Sequence, residues 1–310
     1  MINYSVIIPH YNTPDLLSRC LRSIPERDDL QVIVVDDNSP GNEEYLSVIP
    51  ELSRKNVEYY VSKEGKGAGH VRNVGLEHAV GKWLIFSDSD DFFDDNFSSE
   101  LDNYVNDEHD IIYFNIKCCD CYDTTCIYDN VDKLWKYRET GNDIYLRVCY
   151  TEPWGKIIKR SVVVDNGIFF QETKAHNDLL FSIKVGLVAD KVLVIDKPLY
   201  WYVIREGSLG HQKGEEPFGK ICDRIRAWDS AQEYLLNHKI KTKFYLPLRP
   251  CINALKNNPL TYFKLLVYMK KNNYRYVRII IDTLRFIFLR FFDPHVLRFQ
   301  NVIIVDSIKK

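Results

Sequence analysis

The sequence contains no stretch of about 18 uncharged apolar residues, so no transmembrane helix is expected. It opens on Met1-Ile2-Asn3-Tyr4, with no basic region leading into an apolar core, so no secretory signal is expected either. Internal repeats, low-complexity tracts and long linkers are missing as well, which argues against solenoids and tethered modules. Neither charge sign dominates. Against 43 Asp and Glu stand 41 Lys and Arg, and a formal net charge of −2 gives no reason to expect nucleic acid as a partner. With no export signal, the eight cysteines read as reduced thiols in a cytosol. Cys118, Cys119, Cys121 and Cys126 cluster, but with irregular spacing and no nearby histidine pair. That spacing favours a cysteine-rich strand or hairpin over a zinc site.

What is present fits a soluble enzyme or binding protein. A chain of 310 residues, 45% hydrophobic and 27% charged, can bury one large core or one domain with an appended helical part. Its 20 Tyr and 16 Phe suit a carbohydrate or nucleotide binder. Tyr4-Ser5-Val6-Ile7-Ile8 is a β-branched run ending at Pro9, and Gln31–Val35 is another that closes on Asp36-Asp37. Val57–Val61 reads as a third strand and Lys82–Phe86 as a fourth, running into Asp88-Ser89-Asp90-Asp91. Between them, helices are expected at Pro14–Ser23 with Thr13 as N-cap, at Asn42–Ser53, and from the loop Gly65–Gly69 to Val80 with Gly81 as C-cap.

This alternation predicts an α/β fold with a mostly parallel sheet and helices on both faces. Ligands in such sheets gather beyond the carboxyl ends of the strands. Tyr11-Asn12, Asp36-Asp37 and Asp88–Asp91 all fall there. Carboxylates crowded at one strand end repel, and a hard divalent ion with oxygen ligands, Mg²⁺ or Mn²⁺, relieves that. Beyond residue 95 the pattern predicts a helix near Asn96–Asn106, a strand Asp110–Lys117, a helix Asn177–Val188 and strands Lys191–Ile195 and Leu199–Arg205. From about residue 214 the chain reads as helical, broken at Pro247, Pro250 and Pro259.

An ordered set of segments resembles the family 2 glycosyltransferases, inverting enzymes of the GT-A fold. They are Ser5–Asn12, Val34–Ser39, Gly69–Gly75, Asp88–Asp91, Trp154–Arg160, Gly167–Phe170, Asn177-Asp178 and Tyr202–Ser208. The resemblance implies a GT-A catalytic domain over 1–213 and leaves a helical region, 214–310, outside it. It further implies a nucleotide-sugar donor, a saccharide or lipid-linked saccharide acceptor, and Mn²⁺ or Mg²⁺. Pro9, Tyr11 and Asn12 would border the nucleotide, and Asp37 would accept from the base, a geometry suited to a uracil N–H. Arg72 would neutralise phosphate or fix the base side. Asp88 and Asp90 form the Asp-x-Asp motif; one carboxylate of this run would hold the ion and another would reach the ribose, with Ser89 between them. Adjacent extended side chains point apart, so Asp90 and Asp91 compete for the ion.

Asp178 would be the general base, drawing the proton from the acceptor hydroxyl. Relatives carry Glu-Asp at this point, whereas here Asn177 stands before the base. Trp154 would form the acceptor floor or pack in the core. Arg205 and Ser208 edge a stretch, Gly207–Gly219, that could close over the diphosphate, with His211 in it as a further metal ligand or a plain loop histidine. Residues 270–310 hold nine Lys or Arg against three Asp. There Arg275, Arg278, Asp282 and Arg285 draw a polar stripe opposite a broad apolar face. Such a segment fits the inner face of a cell membrane or packs on the catalytic domain or a second subunit. A nucleotidyltransferase would need a Gly-rich basic loop after the first strand, and Pro9-His10-Tyr11-Asn12 stands there instead. A dinucleotide-dependent oxidoreductase fails on the spacing of Gly65, Gly67 and Gly69. A sugar-nucleotide-binding scaffold without turnover remains the non-enzymatic alternative.

Overall fold

Every residue of the first two apolar runs is buried, as continuous β-branched sequence demands of central parallel strands. In the computed structural model, which describes residues 1–104, 106–120, 134–205, 216–292 and 303–304, they are β1 (Tyr4–His10) and β2 (Leu30–Asp36). With β3 (Val57–Val61) and β4 (Trp83–Phe86) they form the parallel half of a sheet ordered β3-β2-β1-β4. The connections are α1 (Pro14–Arg22), α2 (Tyr45–Val48) and α3 (Ala68–His78). The register pairs His10 with Asp36 and Ile7 with Phe86, so the three polar clusters leave the sheet along one edge.

The second half of the sheet is not parallel throughout. Beyond β4 come β7 (Lys156–Lys159), β6 (Ile111–Asp120), β8 (Val192–Ile204) and β5 (Phe92–Phe93). β7 runs antiparallel to both β4 and β6. Helices lie on both faces of the resulting mixed sheet. The short helices here are α4 (Phe97–Leu101), α5 (Trp135–Thr140), α6 (Ile144–Cys149) and α7 (Arg160–Val164), followed by α8 (Leu179–Val188). Four-residue β7 and the helices α5 to α7 left no periodic signal long enough to read.

Several boundaries differ from expectation for identifiable reasons. The expected helix over Asn42–Ser53 is split into a 3₁₀ turn, α2 and a second 3₁₀ turn, because Pro50 forces Ile49 into an extended conformation. Helix α3 stops at His78, and Gly81 is not its cap. A Cβ on Gly81 would stand 2.6 Å from Ser5 N, so glycine is needed there for close approach to β1. The two strands expected near residues 191–205 are one, β8, bent by a bulge opposite Asn115. Cys118 and Cys119 are buried in β6, while Cys121 and Cys126 lie outside the described residues.

The C-terminal part is helical as expected: α9 (Phe218–Asn237), α10 (Leu248–Asn257), α11 (Pro259–Lys271) and α12 (Tyr276–Leu289), with β9 (Lys241–Thr242) pairing β10 (Ile303–Ile304). Pro247 and Pro259 mark helix starts, but Pro250 lies inside the first turn of α10, where its missing N–H has no partner to lose. These helices share a second core with Ile144 and Val148 of α6 and Leu179 and Ile183 of α8. The expected polar stripe on α12 is corrected at one position. Asp282 is fully buried, accepting from Tyr245 N–H at 2.8 Å and from Arg278 Nε at 2.9 Å.

Candidate functional site

Two adjacent aspartates after β2 have opposite fates. Asp36 is locked in place: its carboxylate accepts from His10 Nδ1 at 2.7 Å, from Ser39 N–H at 2.6 Å and from the Ser39 hydroxyl at 2.7 Å. His10 in turn accepts from Thr13 N–H through Nε2, which fixes its tautomer. Burial alone would raise the pKa of Asp36, but these donors outweigh it and hold it below the usual carboxylate range. Asp37 accepts from Gly67 N–H at 2.9 Å through Oδ2, while its Oδ1 is buried and has no hydrogen-bond partner. Burial pushes its pKa up. Gly67 sits at φ +91, a conformation that turns its amide toward Asp37 and that other residues rarely adopt. Around this pair, Asn12 N–H donates to Ser39 Oγ at 2.7 Å, Tyr11 is exposed, and Pro9 is buried within β1.

The acidic turn after β4 is bolted to β8. The Tyr200 hydroxyl accepts from Asp88 N–H at 3.0 Å and donates to Asp91 Oδ2 at 2.7 Å, and Val203 N–H donates to Asp91 Oδ1 at 2.8 Å. Asp91 is therefore buried with both oxygens engaged, whereas Asp88 and Asp90 are partly exposed. Asp90 pairs with Arg205 Nε at 2.7 Å and Asp88 with Arg72 Nη2 at 2.5 Å. One carboxylate oxygen from each of Asp88, Asp90 and Asp91 falls within 4.8 Å of the others. Burial first, and then the neighbouring carboxylates, raise the pKa of both Asp90 and Asp91. Three hard oxygen donors so placed fit Mn²⁺ or Mg²⁺. Ser89 lies between them and is buried.

Arg72 links this turn to the N-terminus of α8. Its guanidinium donates to Asn177 Oδ1 at 2.8 Å as well as to Asp88, lies over the Phe170 ring, and keeps a buried Nε without a partner. Asp178 follows Asn177 at the N-cap position but makes no side-chain capping bond. Burial lifts its carboxyl to about 6, against the opposing pull of Arg72. Two residues before Asp178, His176 accepts from Arg224 through Nε2 at 2.9 Å, and burial together with Arg224 and Arg249 holds that imidazole at about 4. Trp154 is only 4% exposed and stacks on Tyr200 at 5.5 Å and Tyr202 at 5.6 Å. Of the two alternatives for its ring, the packed one is what the structure contains. Ser208 and His211 lie outside the described residues.

The family model described as glycosyl transferase family 2 matches residues 5–165, more than half of the chain. The chain belongs to that family. It is similar to poly(ribitol-phosphate) beta-N-acetylglucosaminyltransferase TarS of Staphylococcus aureus, 29% identical over 221 residues that cover 67% of this chain and 37% of that protein. Glycosyltransferase GlyA of Streptococcus pneumoniae is 29% identical over 71% of this chain and 33% of its own length. This family 2 chain thus spans roughly a third of the length of either relative. The crystal structure of S. aureus TarS 1-349 in complex with UDP-GlcNAc superposes with a TM-score of 0.62 at 24% identity, over 76% of this chain and 67% of that one. The mixed sheet with helices on both faces is accordingly the GT-A fold that the resemblance implied.

Three residues near the candidate site carried no functional signal in the sequence, and a fourth was noted only as a departure. Tyr200 lies 109 positions from Asp91, its partner, and carried only the signal of an aromatic in a strand. Asn177, noted as a departure from Glu, is the acceptor that orients Arg72. Arg224 and Arg249 belong to helices for which the resemblance offers no motif.

Proposed function

We propose that the chain transfers a sugar, with inversion, from a UDP-sugar to a hydroxyl of a saccharide or lipid-linked saccharide acceptor. The hydrogen-bonded chain Asp88–Arg72–Asn177 carries this reading, because it ties an acidic, cation-seeking turn to the helix start where Asp178 stands. The acceptor oxygen attacks the anomeric carbon from the Asp178 side. Its proton passes to the Asp178 carboxylate, and the electron pair of the breaking C–O bond leaves with the nucleoside diphosphate. A single displacement of this kind inverts the anomeric centre. A divalent ion held by Asp90 with Asp88 or Asp91 would neutralise charge that gathers on the diphosphate. Arg205 and Arg72 supply fixed positive charge at the two ends of the acidic turn. The UDP-GlcNAc bound by TarS supports the donor class.

The unpartnered Oδ1 of Asp37 supports uracil recognition, since an N–H donor there would complete a buried acceptor. A thermal-shift and product-release screen across UDP-, GDP- and dTDP-sugars, with and without Mn²⁺, tests the reading. UDP-sugars should raise the melting temperature and release UDP; a screen in which no nucleotide-sugar does either sinks it. Asp37→Ala should raise the KM for the UDP-sugar by roughly 10- to 100-fold, the worth of one charge-assisted hydrogen bond.

Cations gather around His176, two residues before Asp178, and we assign them to the acceptor side. Arg224 and Lys220 share Glu216, and Arg249 has no carboxylate partner among the described residues. Such a wall suits an acceptor that carries phosphate, a class that the name of TarS includes. With a poly(ribitol phosphate) acceptor, Arg249→Gln should raise the acceptor KM about ten-fold and leave the donor KM unchanged. Equal acceptor KM values for variant and parent would remove the phosphate from this proposal.

A further inference from the structure

Helix α12 is apolar on two sides, and only one of them is used. Ile279 and Phe286 point into the second core together with Asp282, whose bonds to Tyr245 and Arg278 anchor the helix. The opposite side stays open: Leu284 is 66% exposed, Phe288 65%, Phe291 85% and Phe292 76%. Neighbouring α11 repeats the arrangement, burying Tyr262, Leu265 and Met269 and leaving Leu260, Phe263 and Val267 outside. The two helices are held side by side by the Tyr262–Thr283 hydroxyl contact at 2.9 Å. Water-facing apolar surface of this extent is uncommon on a free protein and marks a face that is covered in use.

The charges around that face decide what covers it. Residues 259–292 carry seven Lys or Arg and a single acid, Asp282, which is buried. Lys264, Lys270, Lys271 and Arg290 are exposed with no carboxylate in reach among the described residues. Two copies meeting through this face would bring like charges together. A lipid bilayer with anionic headgroups meets both needs: acyl chains for the Leu and Phe side chains, phosphates for the rim of cations. No helix among the described residues is long and apolar enough to cross a membrane, so the contact is parallel to the surface.

We infer that the outer face of α11 and α12 is a docking surface for an anionic membrane. It goes beyond the transferase reading and stands or falls separately from it. Docking would bring the chain to the surface at which a lipid-linked acceptor is presented.

The test is flotation of the full chain with vesicles of phosphatidylcholine alone and of phosphatidylcholine mixed with phosphatidylglycerol. The parent should float with the mixed vesicles and not with the neutral ones. The double substitution Leu284→Glu/Phe288→Glu should weaken binding roughly a hundred-fold, since two large side chains no longer enter the lipid. Lys264→Gln/Lys270→Gln/Lys271→Gln should weaken it to a similar degree, about a hundred-fold, in a salt-dependent way. In both variants the melting temperature and the thermal shift with UDP-sugar should match the parent, which separates loss of docking from misfolding. Failure of the parent to float with mixed vesicles overturns the inference, as does unchanged flotation of both variants. A parent dimer in solution that Leu284→Glu/Phe288→Glu converts to monomer overturns it too, and makes the face an interface between copies.

Discussion

Replacing Asp178 by Asn is expected to lower kcat roughly a thousand-fold while UDP-sugar affinity stays within about two-fold of the parent. The amide keeps the shape of the side chain at the start of α8 but cannot take the acceptor proton. On the proposed reading, binding of the donor draws on Asp37, Arg72, Asp88 and Arg205, none of which has a hydrogen bond to Asp178. The carboxyl of Asp178 is lifted to about 6 by burial, with Glu152 and Asp88 adding to the rise and Arg72 opposing it. An ionised base is needed, so kcat/KM of the parent should fall as pH drops through about 6, and this limb should vanish from the residual activity of the variant. The same shift has a stability consequence of fixed sign. A carboxyl whose folded pKa lies above its unfolded value of 3.8 binds more protons in the folded state, so its contribution to stability declines as pH rises from about 4 through about 6. The Asn variant should then melt above the parent at pH 8 and level with it near pH 4. An unchanged kcat, or an acid limb that survives the substitution, removes Asp178 from the proton transfer.

How far the site could be read in advance follows from the range of each interaction. The strand ends were legible because β-branched runs that stop at polar residues are local patterns, and Asp36, Asp37 and Asp88 through Asp91 lie where a parallel sheet delivers them. The division of labour between Asp36 and Asp37 was not, since it depends on His10 and Gly67, 26 and 30 residues away. β7 was missed because four residues carry too little periodicity, and its antiparallel insertion beside β4 is settled by pairing partners that no local window contains. The polar stripe on α12 misled at Asp282 for a related reason. Helical spacing locates a side chain on the helix circumference, but the neighbour it meets, here Tyr245, decides whether that side is wet. Trp154 belongs to the same class: an indole between two tyrosines 46 and 48 positions on gives no local sign of being packed.

The competition between Asp90 and Asp91 for the ion turns on what their oxygens already do, and two alanine substitutions separate the outcomes. Asp91 gives one oxygen to the Tyr200 hydroxyl and the other to Val203 N–H, both inside the protein. Asp91→Ala would leave two buried donors unsatisfied, at a cost of about 3 kcal/mol or several degrees in Tm. That measurement belongs in saturating Mn²⁺, so that relief of crowding among the remaining carboxylates does not mask the loss. Asp90, by contrast, is partly exposed and its carboxylate pairs with a partly exposed Arg205, a pair of the kind worth about 0–1 kcal/mol to stability. Asp90→Ala should therefore melt near the parent yet lose roughly 100- to 1,000-fold in kcat/KM, with the Mn²⁺ concentration for half-activation raised at least about ten-fold. The roles would be reversed by a stable Asp91→Ala protein that no longer responds to Mn²⁺ beside an Asp90→Ala protein that does. On the geometry of the turn, Asp91 is the strut that sets the angle of Asp90 and Asp88, since Tyr200 holds Asp91 and the Asp88 amide with the same hydroxyl. Tyr200→Phe provides an independent check on that link: it should cost less stability than Asp91→Ala and still weaken the Mn²⁺ response, because the turn loses the hydroxyl that joins its two ends.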